Sequence, residues 1–278
     1  MDVRRRAIGS IVYNKGLKYL TIEALEDGLQ AKLSGNTVSY SLDSGTTWVE
    51  LPSDTYTPAI NAGQYIMFKA SSLTPTSRGG IGRFTITKKC NLLGNCNSLL
   101  FGDEANGNND LTGYDYAFVN LFRDCTGIQE VSETFLPATT LANYCYSYMF
   151  YGCTSLTTAP ELPATTLANY CYSYMFYGCT SLTTAPELPA IELVDGCYSY
   201  MFRGCSKLKY IKAFFITEPS SATTSNWVSG VSTSGIFVKN TEATWNVTGV
   251  NGIPEGWRIE TINSGISLTD LIENETME

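Results

Sequence analysis

The sequence predicts an N-terminal all-β sandwich followed by a repeat solenoid of short strands and short helices, ending in an aromatic C-terminal cap. Three observations carry that expectation. Residues 136–161, LPATTLANYCYSYMFYGCTSLTTAPE, recur without change at 162–187, and a looser copy, LPAIELVDGCYSYMFRGCSKLKYIKA, fills 188–213. A fixed period in the 20–50 range marks units that cannot bury their apolar faces alone and must stack. Upstream, YLTIEAL, NTVSYSL, TWVEL, QYIMFKA and GRFTITK alternate or run apolar between Gly, Pro, Asn, Asp and Ser clusters, the signature of short strands. Downstream, Trp227, Phe237, Trp245 and Trp257 lie among Gly, Ser, Thr and Asn, where the repeat spacing is lost.

The chain divides accordingly into a basic N-terminal arm (1–18), a β-sandwich domain (19–89), the repeats (90–213), a terminal repeat or cap (214–262) and an acidic tail (263–278). The arm holds Arg4, Arg5, Arg6, Lys15 and Lys18, either as a solvated terminus or as a docking arm for an acidic partner. It has no apolar h-region and no small-residue cleavage site, so it does not read as a secretory signal. Either a leader has been removed, or the protein leaves its cell another way, or it stays inside. The tail carries Asp270, Glu273, Glu275 and Glu278 and no basic residue, while Leu268, Leu271 and Ile272 suit one amphipathic turn.

Composition excludes several functions. The 278 residues contain no histidine, which removes Ser-His-Asp and Cys-His machinery and every histidine metal site. Net charge is −8, and 136–187 carries only Glu161 and Glu187 as charged residues, so no basic surface for nucleic acid is expected. No run of about 18 apolar residues suits a membrane span. The nine cysteines are odd in number and include no CxxC pair. Cys145, Cys171 and Cys197 are equivalent, as are Cys153, Cys179 and Cys205; they are expected as buried columns of small apolar side chains, with metal binding the rival. No cofactor, no metal and no catalysis are expected.

In the β region, Ser41-Leu42-Asp43-Ser44-Gly45-Thr46-Thr47-Trp48 matches the Asp-box pattern S-x-D-x-G-x-T-W. Asp43 is placed to accept from turn amides, Gly45 to take a positive φ and Trp48 to pack back on the hairpin. The motif occurs once and is read as structural; it is also the only feature that suggests a carbohydrate-active enzyme.

The repeats begin before the exact copies. NLLGNCNSL (91–99) and NLFRDCTGI (120–128) align with YMFYGCTSL (148–156), which sets Cys96, Cys125, Cys153, Cys179 and Cys205 at steps of 29, 28, 26 and 26. Ala142–Phe150 is the best helical segment, with Ala142, Cys145 and Met149 on one face and Tyr144, Ser147 and Tyr151 opposite. Leu156, Leu182 and Leu208 belong to a strand-like segment that Pro160 and Pro163 end. The third copy replaces Tyr170 by Gly196 and Tyr177 by Arg203 yet keeps Cys197, Met201, Phe202 and Leu208. The variable positions are therefore expected to be solvated. Tyr144, Tyr151, Tyr170, Tyr177 and Arg203 become the candidate ligand-binding residues, and Tyr151→Ala and Tyr177→Ala are expected to leave stability nearly unchanged while weakening ligand capture. Tyr146, Tyr148, Tyr172, Tyr174, Tyr198 and Tyr200 are assigned to packing. The C-terminal tryptophans are read as a cap or as a sugar-stacking platform.

The pattern F-x-x-C-x-x-L-x-x-A/I followed by L-P resembles the BspA-like leucine-rich repeats of Bacteroides-type bacterial surface proteins, over roughly 90–260. The resemblance implies a leucine-rich-repeat solenoid, often preceded by a small β-domain, at the cell surface or outside the cell, with no catalytic residues. It departs from that family in having few repeats and no visible leader. The implied function is that of a non-catalytic recognition or adhesion protein that binds a protein or glycan on a host or neighbouring cell, alone, as a homo-oligomer or in a larger assembly. The alternative is a structural or receptor-binding component of a phage fibre, located in the virion.

Overall fold

The computed structural model describes residues 17–70, 73–76 and 79–262. The arm up to residue 16 and the tail from 263, with the readings placed on them, lie outside the described residues. Among the described residues eleven strands run in chain order: β1 Leu20–Ala24, β2 Ala31–Ser34, β3 Val38–Ser41, β4 Val49–Leu51, β5 Tyr65–Lys69, β6 Arg83–Ile86, β7 Cys90–Leu93, β8 Ile128–Val131, β9 Tyr210–Ala213, β10 Ile236–Asn240 and β11 Arg258–Ile262. One sheet has the order β4-β3-β5-β1-β7-β8, a second β11-β10-β9, and β2 pairs with β6 alone. The only α-helix among the described residues is the single turn Ser98–Phe101.

This overturns the expected fold class. Among the described residues three open sheets, none closed or solenoid-like, and one short helix replace a sandwich followed by a leucine-rich-repeat solenoid with helices. The expected break at residue 89 is also crossed by hydrogen bonding. β1 pairs antiparallel with β5 on one side and with β7 on the other, and β7 continues parallel into β8. Across the same junction Phe84 stacks on Phe122 at 5.3 Å between centroids and meets Phe68 edge-on at 5.1 Å, within one main apolar core.

The segment read as a helix, Ala142–Phe150, is a series of turns. From Tyr144 onward its odd-numbered amides bond three residues back: Cys145 N to Ala142 O (3.3 Å), Ser147 N to Tyr144 O (3.1 Å), Met149 N to Tyr146 O (3.2 Å). The even-numbered amides leave the segment for the next copy: Tyr144 N to Asn169 O (3.0 Å), Tyr146 N to Cys171 O (3.0 Å), Tyr148 N to Ser173 O (2.9 Å), Phe150 N to Met175 O (2.9 Å). The second copy bonds to the third in the same way, from Tyr170 N to Asp195 O (2.9 Å) through Gly178 N to Arg203 O (2.8 Å). Each copy thus lays one row of turns against the next, and every amide from Tyr144 to Gly152 has a partner.

Such a row needs a left-handed residue at every fourth position. Tyr144, Tyr148 and Gly152 have φ of 58°, 59° and 71°, and Tyr170, Tyr174 and Gly178 repeat them at 57°, 59° and 72°. A helix cannot contain these residues. The apolar spacing misleads because periods of 3.6 and 4 diverge little over nine residues. Burial separates them: Cys145 and Tyr146, then Met149 and Phe150, are buried as adjacent pairs four apart. Ser147, expected on the solvated face, is buried and donates from Oγ to Ser173 O at 2.9 Å.

The core rows consist of like side chains in register. Phe122, Phe150, Phe176 and Phe202 stack at 5.7–5.8 Å, and Phe118, Tyr146, Tyr172 and Tyr198 at 5.6–6.0 Å. Trp227 meets both columns, 6.3 Å from Tyr198 and 6.1 Å from Phe202. Trp227, Trp245 and Trp257 are buried, and their indole N–H groups donate to Gly252 O, Phe215 O and Ser232 O. A burial this complete removes them as a sugar-stacking platform.

Because copies one and two are identical and junctions one–two and two–three share their bonding, deletion of 162–187 sets Tyr144 against Gly196 as Tyr170 is now. The shortened chain should fold cooperatively with a smaller urea m-value, since less surface is buried and each row adds mainly nearest-neighbour energy. Loss of a cooperative transition in urea would contradict this account of the junctions.

Candidate functional site

The rows place three columns of side chains on one face, two of them rooted at left-handed positions. Tyr116, Tyr144 and Tyr170 form the first, with centroids 4.7 and 4.8 Å apart and rings within 5° of parallel. Tyr148, Tyr174 and Tyr200 form the second, at 4.4 Å. Tyr151 and Tyr177 form the third at 4.6 Å, and an arginine closes each end. Arg123 lies 4.5 Å from the Tyr151 centroid, and Arg203 lies 5.9 Å from Tyr177 and 5.6 Å from Tyr200. These are attractive cation–π geometries.

Stacking decides what the columns can offer. A ring inside a column has both faces covered by neighbours, so it presents its edge and its hydroxyl. The face belongs to hydrogen-bonding chemistry more than to sugar stacking on flat rings. The second column sets the hydroxyls of Tyr148, Tyr174 and Tyr200 one above another, a hydroxyl ladder on stacked rings. Burial, then the neighbouring Tyr148 and Tyr200, push the Tyr174 hydroxyl up to about 12, so it stays protonated at physiological pH.

Between the first two columns runs a groove of about 520 Å³, walled by tyrosines and floored by Ser147, Ser173 and Ser199. Among the described residues lining it, Asp195 alone is charged. The first tyrosine column ends at Tyr170, because the third copy has Gly196 at that position. The Gly196 φ is 61°, and a Cβ there would come within 2.2 Å of the Tyr170 ring. Glycine at 196 therefore reflects a left-handed backbone and a ring lying over it, as well as exposure. Tyr170 is the most open of the column tyrosines, at 37 % exposure.

All five candidate residues fall on this face, Tyr144 and Tyr170 in one column and Tyr151, Tyr177 and Arg203 in another. Two expectations about them change. Tyr148, Tyr174 and Tyr200, assigned to packing, are half-exposed and line the groove. Tyr177 also touches Tyr151, Tyr174 and Arg203, so its removal carries a stability cost. Sequence reading missed Arg123, although the alignment of NLFRDCTGI with YMFYGCTSL already set Arg123 opposite Tyr151.

The cysteines sit behind the face, and all nine are buried and free. Cys153, Cys179 and Cys205 donate from Sγ to Phe122 O, Phe150 O and Phe176 O at 3.2, 3.2 and 3.0 Å. Phe150 O also accepts the Cys153 amide at 3.1 Å, so the thiol of the next row takes its second lone pair. Burial raises the thiols, Cys145 and Cys205 to about 12 and Cys197 to about 11, which keeps them protonated and poor nucleophiles. No group of three or more metal-ligating side chains occurs among the described residues.

The Asp box lies apart, on the β3–β4 hairpin. Asp43 accepts from Ser41 Oγ (2.7 Å), Thr47 N (2.8 Å) and Thr47 Oγ1 (2.6 Å), and Trp48 Nε1 donates to Gly45 O (3.0 Å). The Thr47 hydroxyl, then the Thr47 amide, bring Asp43 down to about 2. Its oxygens are occupied in holding the turn.

The buried protons lead to two measurements. Thiols raised above 9.0 and the buried Tyr146, Tyr172 and Tyr198 raised above 10.0 keep protons that the unfolded chain releases. Their contribution is complete below pH 9.0 and declines as pH rises through the folded values near 12. Urea midpoints compared at about pH 8 and about pH 10.5 should drop at the higher pH. Second, the Tyr146 hydroxyl is buried with no hydrogen-bond partner among the described residues. Tyr146→Phe should raise stability by about 1 kcal/mol in urea denaturation, because it removes an uncompensated polar group.

No protein-family model matches the chain, and no curated protein or solved structure matches it either.

Proposed function

We propose that this chain is a non-catalytic recognition protein that binds a glycan or protein through its tyrosine-lined face, at a cell surface or outside the cell. The groove between the Tyr144/Tyr170 and Tyr148/Tyr174/Tyr200 columns carries the reading. It is long, shallow and lined by hydroxyls at regular intervals, which suits an extended polar ligand held by many weak hydrogen bonds. The rigid two-torsion tyrosine side chain offers contact area at low entropic cost. Protonated, buried thiols and an Asp43 engaged in its turn fit the absence of catalysis in this reading. The resemblance of the repeats to BspA-like surface proteins points the same way.

The test is capture of saccharides on a glycan array, and of proteins from a displayed surface proteome, by the wild-type chain and by Tyr174→Phe. Removing one hydroxyl from the middle of the ladder should leave the urea midpoint within about 1 kcal/mol and weaken capture severalfold. Tyr177→Ala should weaken capture as well, at a stability cost of about 1–2 kcal/mol from lost stacking. Capture that neither substitution changes would refute the assignment of this face.

A further inference from the structure

A second concave site lies at the end of the third column, where the β region meets the first row of turns. It encloses about 510 Å³ between Ser34–Asn36, the glycine-rich turn Gly79–Arg83 and residues 120–124. Two cations converge in it on one oxygen: Arg83 Nη2 lies 3.3 Å and Arg123 Nε 3.6 Å from Asp124 Oδ2. Arg123 Nη1 also donates to Asn120 Oδ1 at 3.3 Å. Among the described residues lining the site, two guanidinium charges face one carboxylate, a local excess of positive charge in a chain whose net charge is −8. Each guanidinium has five N–H donors in a fixed fork. Hydrogen bonds engage one on Arg83 and one on Arg123.

The site is held in shape. Arg123 lies over the Tyr151 ring, so its flat face is covered and its edge is left for in-plane acceptors. Gly82 packs so closely that a Cβ would fall 2.1 Å from Ser34 O, and one on Gly80 would fall 2.8 Å from Tyr116 O. The glycine turn is thus pressed against both β2 and the first row. Arg83 and Arg123 keep 46 % and 37 % of their side chains exposed, so an incoming anion can reach both.

We propose that this pocket binds the oxyanion, carboxylate or sulfate, of an acidic saccharide through the Arg83–Arg123 fork, in competition with Asp124. The inference rests on the recognition reading above and narrows its ligand. An acidic group seated against Arg123 leaves the rest of the saccharide to follow Tyr151, Tyr177 and Arg203, which continue the same column.

Calorimetric titration of the full chain with glucuronic acid, a sulfated disaccharide, inorganic sulfate and glucose separates the outcomes. Both acidic saccharides, or one of them, should bind, and glucose should bind at least about tenfold more weakly, as loss of a charge-assisted hydrogen-bonded pair implies. Arg83→Gln and Arg123→Gln should each weaken acid binding about tenfold. Arg83→Lys, which keeps the ion pair to Asp124 but loses the fork, should not restore it. Asp124→Asn should tighten binding severalfold, because it removes the internal competitor at a left-handed position that asparagine tolerates. A purely structural Arg83–Asp124 pair predicts rescue by lysine and no gain from asparagine, and that result overturns the proposal. Binding of sulfate without either saccharide overturns its saccharide part. If the arginine variants leave acidic-saccharide binding unchanged while Tyr174→Phe weakens it, the pocket is refuted and the tyrosine face stands. If no saccharide binds and no protein is captured, the recognition reading itself falls.

Discussion

The structure depends on where alternate backbone amides go. In each row of turns one amide in two closes a turn and the other crosses to the next copy. The arrangement gives every amide of the row a partner, which a stack of irregular chain would otherwise struggle to achieve. It requires a left-handed residue every fourth position, and for a non-glycine residue that conformation costs roughly 1–2 kcal/mol. Tyrosine meets the cost by stacking on its equivalent in the next row, while the 152, 178 and 204 positions use glycine. The strained tyrosines also face outward, so the geometry that closes the backbone displays them.

Registration of like on like governs the interior as well. A phenylalanine carbonyl that already accepts the amide of its own turn also receives a thiol from the following row. Cysteine fits because it is small, apolar and carries a weak donor. Fully buried cysteine and tyrosine columns raise their own proton affinities by desolvation, which ties the alkaline limit of the fold to its packing.

Charge is placed at the ends of columns, not along them. Arg123 and Arg203 cap the Tyr151/Tyr177 pair, and Arg123 shares Asp124 with Arg83 from the β region. Exposed ion pairs of this kind contribute little to stability. Their significance lies in position, since they join a positive pocket to a face of hydroxyl edges.

The period, the equivalence of positions between copies and the apolar anchors that turn inward were legible in the sequence alone, whereas Ser147 and the Tyr148, Tyr174 and Tyr200 column were misplaced. Cys145, Met149, Phe150, Cys153 and Leu156 are all buried, as their invariance between copies required. The Asp-box turn was legible too, because each of its contacts spans at most four residues. The fold class was not legible. A four-residue turn period and a 3.6-residue helix period differ too little over one short segment, and nothing local reveals that tyrosine will accept a positive φ. The join at residue 89 was hidden for a similar reason, since β1 pairs with β7 across about seventy residues of chain. Which tyrosines face solvent, that their rings are stacked edge-outward, and that Arg83 and Arg123 meet became visible only in three dimensions. Those are long-range facts, set by packing between rows and not by any residue's own preference.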